Sequence, residues 1–83
     1  MKPDPNECRK VLMSFYDEYL SARDKVPRDF ASMHEGYAVI KEELDELWDE
    51  IKKSKLLKAD DCMKKECIQI AAMTIRFIED LYS

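Results

Sequence analysis

A single glycine in 83 residues is the feature that most constrains the fold of this chain. Folds with many tight turns place glycine where the backbone needs positive φ, and this chain offers only Gly36 together with three prolines. All-β and loop-rich architectures are therefore disfavoured, and long helices with few connections are expected. Since 83 residues make one small domain, we expect residues 1–83 to form a single all-α domain.

The first predicted helix spans about residues 5–22. Asp4 is suited to the N-cap position, and Pro5 follows it in the first turn. Apolar residues then recur at steps of three and one, which indicates a helical stripe: Cys8, Val11, Leu12, Phe15, Tyr16, Tyr19 and Leu20. The pattern fades after residue 22, and Pro27 ends it.

The second predicted helix spans 32–54 and begins with a capping box from Ser32 to Glu35. Its apolar residues mostly step by three or four along one face: Phe30, Met33, Tyr37, Ile40, Leu44, Leu47, Trp48 and Ile51. The third predicted helix spans 61–82, with Asp60 or Asp61 as its cap. The connector 55–59 is either a loop or a frayed helical turn.

The middle of the third helix is apolar almost all round, from Cys67 to Ile78. Such a helix needs neighbours on most sides. Three helices of this length cannot easily surround one of their own number. The expected architecture is therefore a three-helix chain that assembles into a helical-bundle homodimer or homotetramer.

Acidic side chains cluster in the second helix. At 100° per residue, Glu43, Glu46 and Glu50 share one stripe, whereas Asp45 and Asp49 point mostly to solvent. The simplest interpretation of this acid-rich helix is a solvated face with lysine partners.

The third helix carries polar residues along one stripe of its apolar surface: Glu66, Gln69, Met73, Arg76 and Asp80. Buried charges need partners, because an unpaired one is costly. One interpretation is a structural network in which Arg76 pairs with an acid. The other is a metal site.

The lengths of the helices favour considering the metal site. In an antiparallel hairpin, Glu43 and Glu46 lie roughly 14 Å from the end of the second helix, at about 1.5 Å per residue. Glu66 and Gln69 lie roughly 10 Å into the third helix and so reach a similar height. Three carboxylates and an amide oxygen can then converge, and oxygen ligands suit Mg²⁺ or Mn²⁺.

The segments 34–37, 40–48 and 65–73 resemble the MazG-like all-α nucleoside triphosphate pyrophosphohydrolases. Residues 42–46 match that superfamily's EExxE motif, and Glu66 matches the first acid of its ExxD motif. Gln69 stands where the family has aspartate. The resemblance covers roughly residues 30 to 81.

The resemblance implies Mg²⁺-dependent hydrolysis of a (d)NTP to (d)NMP and pyrophosphate. It implies that Glu43 and Glu46 are metal ligands and that one of them positions or deprotonates the attacking water. Glu66 and Gln69 complete the implied metal ligands, but the neutral amide lowers the expected metal affinity.

Lys41 and Arg76 are candidates for contacting the phosphates of the substrate. Surface solubility or a structural ion pair is the alternative role for each. The alternative function is that of a catalytically weakened or inactive relative that binds nucleotide or metal, or that only assembles.

The remaining features limit other functions. A net charge of −4 disfavours nucleic-acid binding. No apolar run approaches the ~20 residues that span a membrane, and the N-terminal residues do not resemble a signal peptide. The three cysteines form no CxxC pair, so we expect free thiols and a cytoplasmic protein.

Overall fold

The computed structural model describes residues 2–53 and 59–82, and this part of the chain is all-helical. Helix α1 spans Pro5–Lys25, α2 spans Met33–Lys52 and α3 spans Ala59–Tyr82. The prediction of an all-α chain with three helices is therefore confirmed. The predicted connector, apart from Ala59, lies outside the described residues.

The first two helices begin where their capping residues predict. The Asp4 carboxylate accepts a hydrogen bond from the Asn6 N–H at 2.9 Å, with Pro5 as the first helical residue. The Ser32 hydroxyl accepts one from the Glu35 N–H at 3.1 Å. Each bond satisfies a backbone donor that the helix itself leaves free, which explains why the helices begin there.

The predicted start of the third helix is wrong. Helix α3 begins at Ala59, so Asp60 and Asp61 lie within its first turn and do not precede it. Aspartate is favoured both as an N-cap and in the first turn, where the helix dipole attracts negative charge. The two positions are therefore hard to distinguish in a sequence.

Helix α1 continues three residues beyond its predicted end. Arg23, in its last turn, forms an ion pair with Asp80 of α3, and its Nε donates to the Tyr19 hydroxyl at 3.2 Å. This contact between helices stabilises a turn that has no apolar pattern. The Val26 N–H then caps the helix by donating to the Ala22 carbonyl at 2.9 Å, just before Pro27.

Helix α3 lies in the middle of the molecule and packs against both α1 and α2. It runs antiparallel to α2, because Gly36 lies beside Phe77 while Glu43 lies near Glu66. Within the described ranges, α1 and α2 do not pack against each other. They therefore flank α3 and leave a space between them.

Gly36 allows α2 and α3 to approach closely. A Cβ atom at this position would lie 2.5 Å from Cδ2 of Phe77 and 3.3 Å from Cδ2 of Phe30. The first distance is shorter than any acceptable carbon–carbon contact. A glycine inside a helix costs about 1 kcal/mol of helix stability, and here the packing of two aromatic rings explains its presence.

The apolar core of the described residues is small. Phe30 and Ala72 are its buried hydrophobic residues, at 5% and 0% exposure. Other apolar residues of the predicted helical stripes are largely exposed, including Tyr37, Leu44 and Trp48 of α2. None of the described helices combines the length and the apolar character needed to cross a membrane.

We expect the substitution Gly36→Ala to destabilise the protein by about 1–3 kcal/mol, the usual cost of overpacking. Helix propensity alone would stabilise the variant by about 1 kcal/mol. The sign of the change in unfolding free energy therefore distinguishes overpacking from helix propensity. The measurement is urea unfolding followed by circular dichroism. In a Phe77→Leu background the same substitution should cost less. Stabilisation by Gly36→Ala in the otherwise unchanged chain would contradict the close contact.

Candidate metal centre and adjoining groove

Three of the predicted metal ligands converge where α2 faces α3. Glu43 and Glu46 of α2 and Glu66 of α3 each bring one carboxylate oxygen within 4.8 Å of the others. Glu43 and Glu66 are half-buried and Glu46 is exposed. We call these three residues the carboxylate cluster. It arises because a three-residue step keeps two acids on one side of α2, opposite the first acid of α3.

The carboxylate cluster contains oxygen atoms without partners. Oε2 of Glu43 and Oε2 of Glu66 are buried and make no hydrogen bond. No salt bridge of the described residues includes any of the three acids. Buried acceptors of this kind are costly unless a donor or a cation satisfies them.

Burial and mutual proximity perturb the titration of these acids. Burial, followed by the close approach of the Glu66 carboxylate and repulsion by Glu46, raises the pKa of Glu43 to about 7. Burial is also the main cause that raises the pKa of Glu66, and Glu46 contributes. The cluster therefore disfavours three simultaneous negative charges.

Three other acids of α2 have lysine partners. Asp45 pairs with Lys41 at 3.0 Å, Asp49 with Lys52 at 3.3 Å, and Glu50 with Lys53 at 3.9 Å. A solvated face with lysine partners therefore describes these acids but not the carboxylate cluster.

A groove of about 340 Å³ adjoins the carboxylate cluster. It lies between α1 and α2, and its floor is formed by Gln69, Met73 and Arg76 of α3. Glu43 and Val39 contribute to the α2 side. This volume is within the range of about 300–1,000 Å³ that is typical of small-molecule sites.

The structure separates the other predicted site residues. Gln69 lines the groove beside Glu43, whereas Lys41 is exposed, pairs with Asp45 and does not line the groove. Arg76 lines the groove and is only 5% exposed. The predicted site residues other than Lys41 therefore lie in two adjoining regions, the carboxylate cluster and the groove.

Arg76 lies in a structural network at the end of the groove remote from Glu66. Its Nη2 donates to the Arg28 carbonyl at 3.1 Å, and its Nε lies 4.0 Å from Oδ2 of Asp80. The guanidinium lies over the Phe30 ring, 4.2 Å from the ring centroid. Arg76 therefore pairs with an acid, as one of the two interpretations of its stripe requires.

Sequence reasoning did not identify the walls of the groove. Val39, Phe30 and Ala22 line it, together with the ion pair between Arg28 and Glu35. The floor had a signal, since Gln69, Met73 and Arg76 lie on the polar stripe of α3. No sequence pattern indicated the walls, because an apolar pattern does not show that α1 and α2 lie apart.

The geometry combines oxygen ligands suited to a hard cation with a partly apolar groove beside them. An anionic ligand held through a cation at the carboxylate cluster would have room for its remainder in the groove. The chain matches no family model, no curated protein and no solved structure.

We expect the metal-free protein to lose stability as pH rises from about 4.5 through about 7. The pKa of Glu43 is raised from 4.5 to about 7 in the folded protein. The folded state therefore binds the proton more tightly than the unfolded state, and this stabilisation is lost as the proton leaves. Urea unfolding at a series of pH values measures the effect.

Glu43→Gln should abolish this part of the pH dependence and unfold at higher urea than the unchanged protein at pH 8. The control is Glu42→Gln, an exposed neighbour outside the cluster, which should behave like the unchanged protein. Identical pH profiles for Glu43→Gln and the unchanged chain would contradict the geometry of the cluster.

Proposed function

We propose that this protein is a Mg²⁺-dependent nucleoside triphosphate pyrophosphohydrolase of the MazG-like all-α kind, acting on a (d)NTP to give (d)NMP and pyrophosphate. The observation that carries the proposal is the convergence of Glu43, Glu46 and Glu66 with two buried oxygens lacking partners. The resemblance of residues 42–46 and 66–69 to the paired acidic motifs of that superfamily supports it.

The cluster fits a divalent cation for three reasons. The donor set consists of carboxylate oxygens, which Mg²⁺ and Mn²⁺ prefer. Oε2 of Glu43 and Oε2 of Glu66 are the buried acceptors that a cation would satisfy. The repulsion that raises the pKa of Glu43 would also be relieved. Glu43, Glu46 and Glu66 would hold the ion, and Gln69 beside Glu43 can add a neutral amide oxygen.

A bound cation would neutralise phosphate charge and make a water more acidic. The remaining roles in hydrolysis are assigned to residues of the chain according to their exposure. Glu43 and Glu66 are half-buried and lie between two helices, so they would hold the ion in a fixed position. Glu46 is the exposed member. We therefore assign to Glu46 the acceptance of a proton from the water that attacks the α-phosphorus.

We expect pyrophosphate release from at least one nucleoside triphosphate in a panel of NTPs and dNTPs assayed with Mg²⁺ or Mn²⁺. Glu46→Gln should lower kcat by about a hundredfold or more, the usual contribution of a general base. Glu42→Gln, in the same acidic run but exposed and outside the cluster, is the matched control and should retain activity. Absence of turnover by the unchanged protein, or equal turnover by Glu46→Gln, would contradict the proposal.

A weakened or inactive relative is the second candidate, and Gln69 is the observation that favours it. An amide supplies an oxygen without charge, so three acids attract a cation less strongly than four. In the same assay, Gln69→Asp should raise activity and metal affinity if the natural residue limits them. Calorimetry with Mg²⁺ alone and with nucleotide then distinguishes binding without hydrolysis from full activity.

The assembly that we propose is a homodimer or homotetramer. Apolar side chains are exposed on faces of α1 and α2 beside those that pack on α3, with exposures of 39–64%. They are Leu12, Tyr16 and Leu20 on α1 and Met33, Tyr37, Leu44, Trp48 and Ile51 on α2. Exposed apolar stripes of this kind, one on each helix, are typical of an interface. The small core of the single chain supports the same conclusion.

We expect sedimentation to give at least twice the chain mass of 9.8 kDa, and Leu44→Glu to shift the protein toward the monomer. A charge in a desolvated apolar interface is costly, which is the reason for the shift. Ala38→Glu adds the same charge at an exposed position of α2 outside the stripe and should leave the assembly intact. A monomeric unchanged protein would contradict the assembly.

A further inference from the structure

The exposed apolar stripe of α2 lies on the side of that helix away from the groove. Val39 and Glu43 line the groove, and Glu43 also faces Glu66 of α3. At 100° per residue, Leu44 and Trp48 lie roughly 140° and 180° around the helix from Val39. Both side chains are more than half exposed. The stripe therefore points away from the groove, and α3 does not cover it.

The other two helices show the same division between a groove side and an exposed side. Glu18 of α1 and Arg76 of α3 line the groove. Tyr16 precedes Glu18 by two residues, and Thr74 and Ile78 lie two residues to either side of Arg76. A two-residue step turns a side chain by roughly 200°, to nearly the opposite side of the helix. Tyr16, Thr74 and Ile78 are accordingly exposed.

These exposed sides form one surface, because α1 and α2 flank α3 and all three helices have their groove-lining residues on the other side. We call this surface the rear face. Two residues of each helix define it, and none of them is charged: Tyr16, Leu20, Leu44, Trp48, Thr74 and Ile78. The Thr74 hydroxyl donates to the Ile70 carbonyl at 2.8 Å, so covering it leaves no unsatisfied donor.

The rear face is large enough for a stable interface. The Cα atoms span 38 × 30 × 23 Å, and three helices side by side occupy the two longer dimensions. A face of this size exceeds the roughly 800 Å² that each partner contributes to a standard interface. Phe30 and Ala72 are the buried hydrophobic residues of the described chain. Covering the rear face would therefore supply apolar burial that the single chain lacks.

The charges of α2 beside the rear face do not oppose association with an identical copy. Lys41 pairs with Asp45 at 3.0 Å. Lys52 pairs with Asp49 at 3.3 Å and lies over the Trp48 ring. A face with an excess of one charge would repel its own copy and favour a partner of opposite charge. An uncharged centre beside paired charges instead suits an interface between identical chains.

We propose that a second copy of this chain docks on the rear face, so that the two grooves and the two carboxylate clusters open on opposite outer sides of the dimer. The inference rests on the proposed self-association and specifies the surface that it uses. It does not depend on nucleotide hydrolysis. Each copy keeps a groove and a cluster made of its own residues, to which the partner contributes none.

Two native cysteines of α3 report which face is covered. Cys62 and Cys67 are both exposed in the single chain. Cys62 lies roughly 20° around α3 from the groove residue Met73, whereas Cys67 lies roughly 120° away, on the side of Thr74. A partner on the rear face therefore covers Cys67 and leaves Cys62 accessible.

We expect iodoacetamide to modify Cys67 at least about tenfold more slowly than Cys62 in the assembled protein, because burial at the interface hinders attack by the thiolate. Peptide mass spectrometry measures both rates in one sample, so Cys62 is the internal control. The urea-unfolded protein, in which both thiols are accessible, gives the intrinsic ratio of the two rates. The expected protection of Cys67 is measured against that ratio.

Variants connect the protection to the rear face. Ile78→Glu places a charge in the interface and should give a monomer in which Cys67 loses its protection. Ile78 is 59% exposed in the single chain, so circular dichroism should show a folded variant, and Tyr16→Glu on α1 is a second variant of the same kind. Lys25→Glu adds an acid at an exposed position that lines the groove, and it should leave both the assembly and the protection intact.

Each outcome bears on a stated claim. An assembled protein in which Cys67 keeps its intrinsic rate overturns the rear face as the interface, and protection of Cys62 in place of Cys67 places the partner over the groove. A monomer in sedimentation overturns the self-association on which the inference rests. Pyrophosphate release without protection of Cys67 leaves the hydrolase proposal standing. Protection of Cys67 without pyrophosphate release supports the rear face and counts against the hydrolase.

Discussion

The Asp80 carboxylate joins all the parts of this small molecule. Its side chain is 1% exposed, and it pairs with Arg23 of α1 and Arg76 of α3. It also accepts a hydrogen bond from the Phe30 N–H at 2.8 Å, in the segment before α2. Burial alone would raise the pKa of Asp80, but the bonds from Arg23 and Phe30 outweigh it and lower the pKa. A buried charge with this many partners holds three segments in one geometry.

The groove and the carboxylate cluster follow from that geometry. The bond to Phe30 places its ring under the Arg76 guanidinium and against Gly36, where α2 and α3 lie close together. From this crossing, α2 runs antiparallel to α3 for two turns and brings Glu43 opposite Glu66. Helix α1 is fixed to the other side of α3 through Arg23. The space between α1 and α2 therefore remains open along the stripe of Gln69, Met73 and Arg76.

Local rules explain what could be predicted from the sequence. Caps at Asp4 and Ser32 depend only on hydrogen bonding near the chain, and the helical stripes that carry Glu43, Glu46 and Glu66 depend only on helix geometry. Contacts between helices account for what could not be predicted. The last turn of α1 depends on Asp80, more than fifty residues away in the chain. Tyr37 and Trp48 are apolar in pattern but exposed, because periodicity does not identify which surface covers a stripe.

The polar stripe of α3 carries a carboxylate at each of its two ends, and the two carboxylates have different surroundings. Asp80 is fully compensated, by two guanidinium groups and a backbone donor. Glu66 faces two further acids, and its Oε2 has no hydrogen-bond partner. The same helix can thus satisfy a buried carboxylate, so the uncompensated end is not a general consequence of the fold. Under the proposed function, this uncompensated end beside the groove is where a cation and an anionic ligand would bind together.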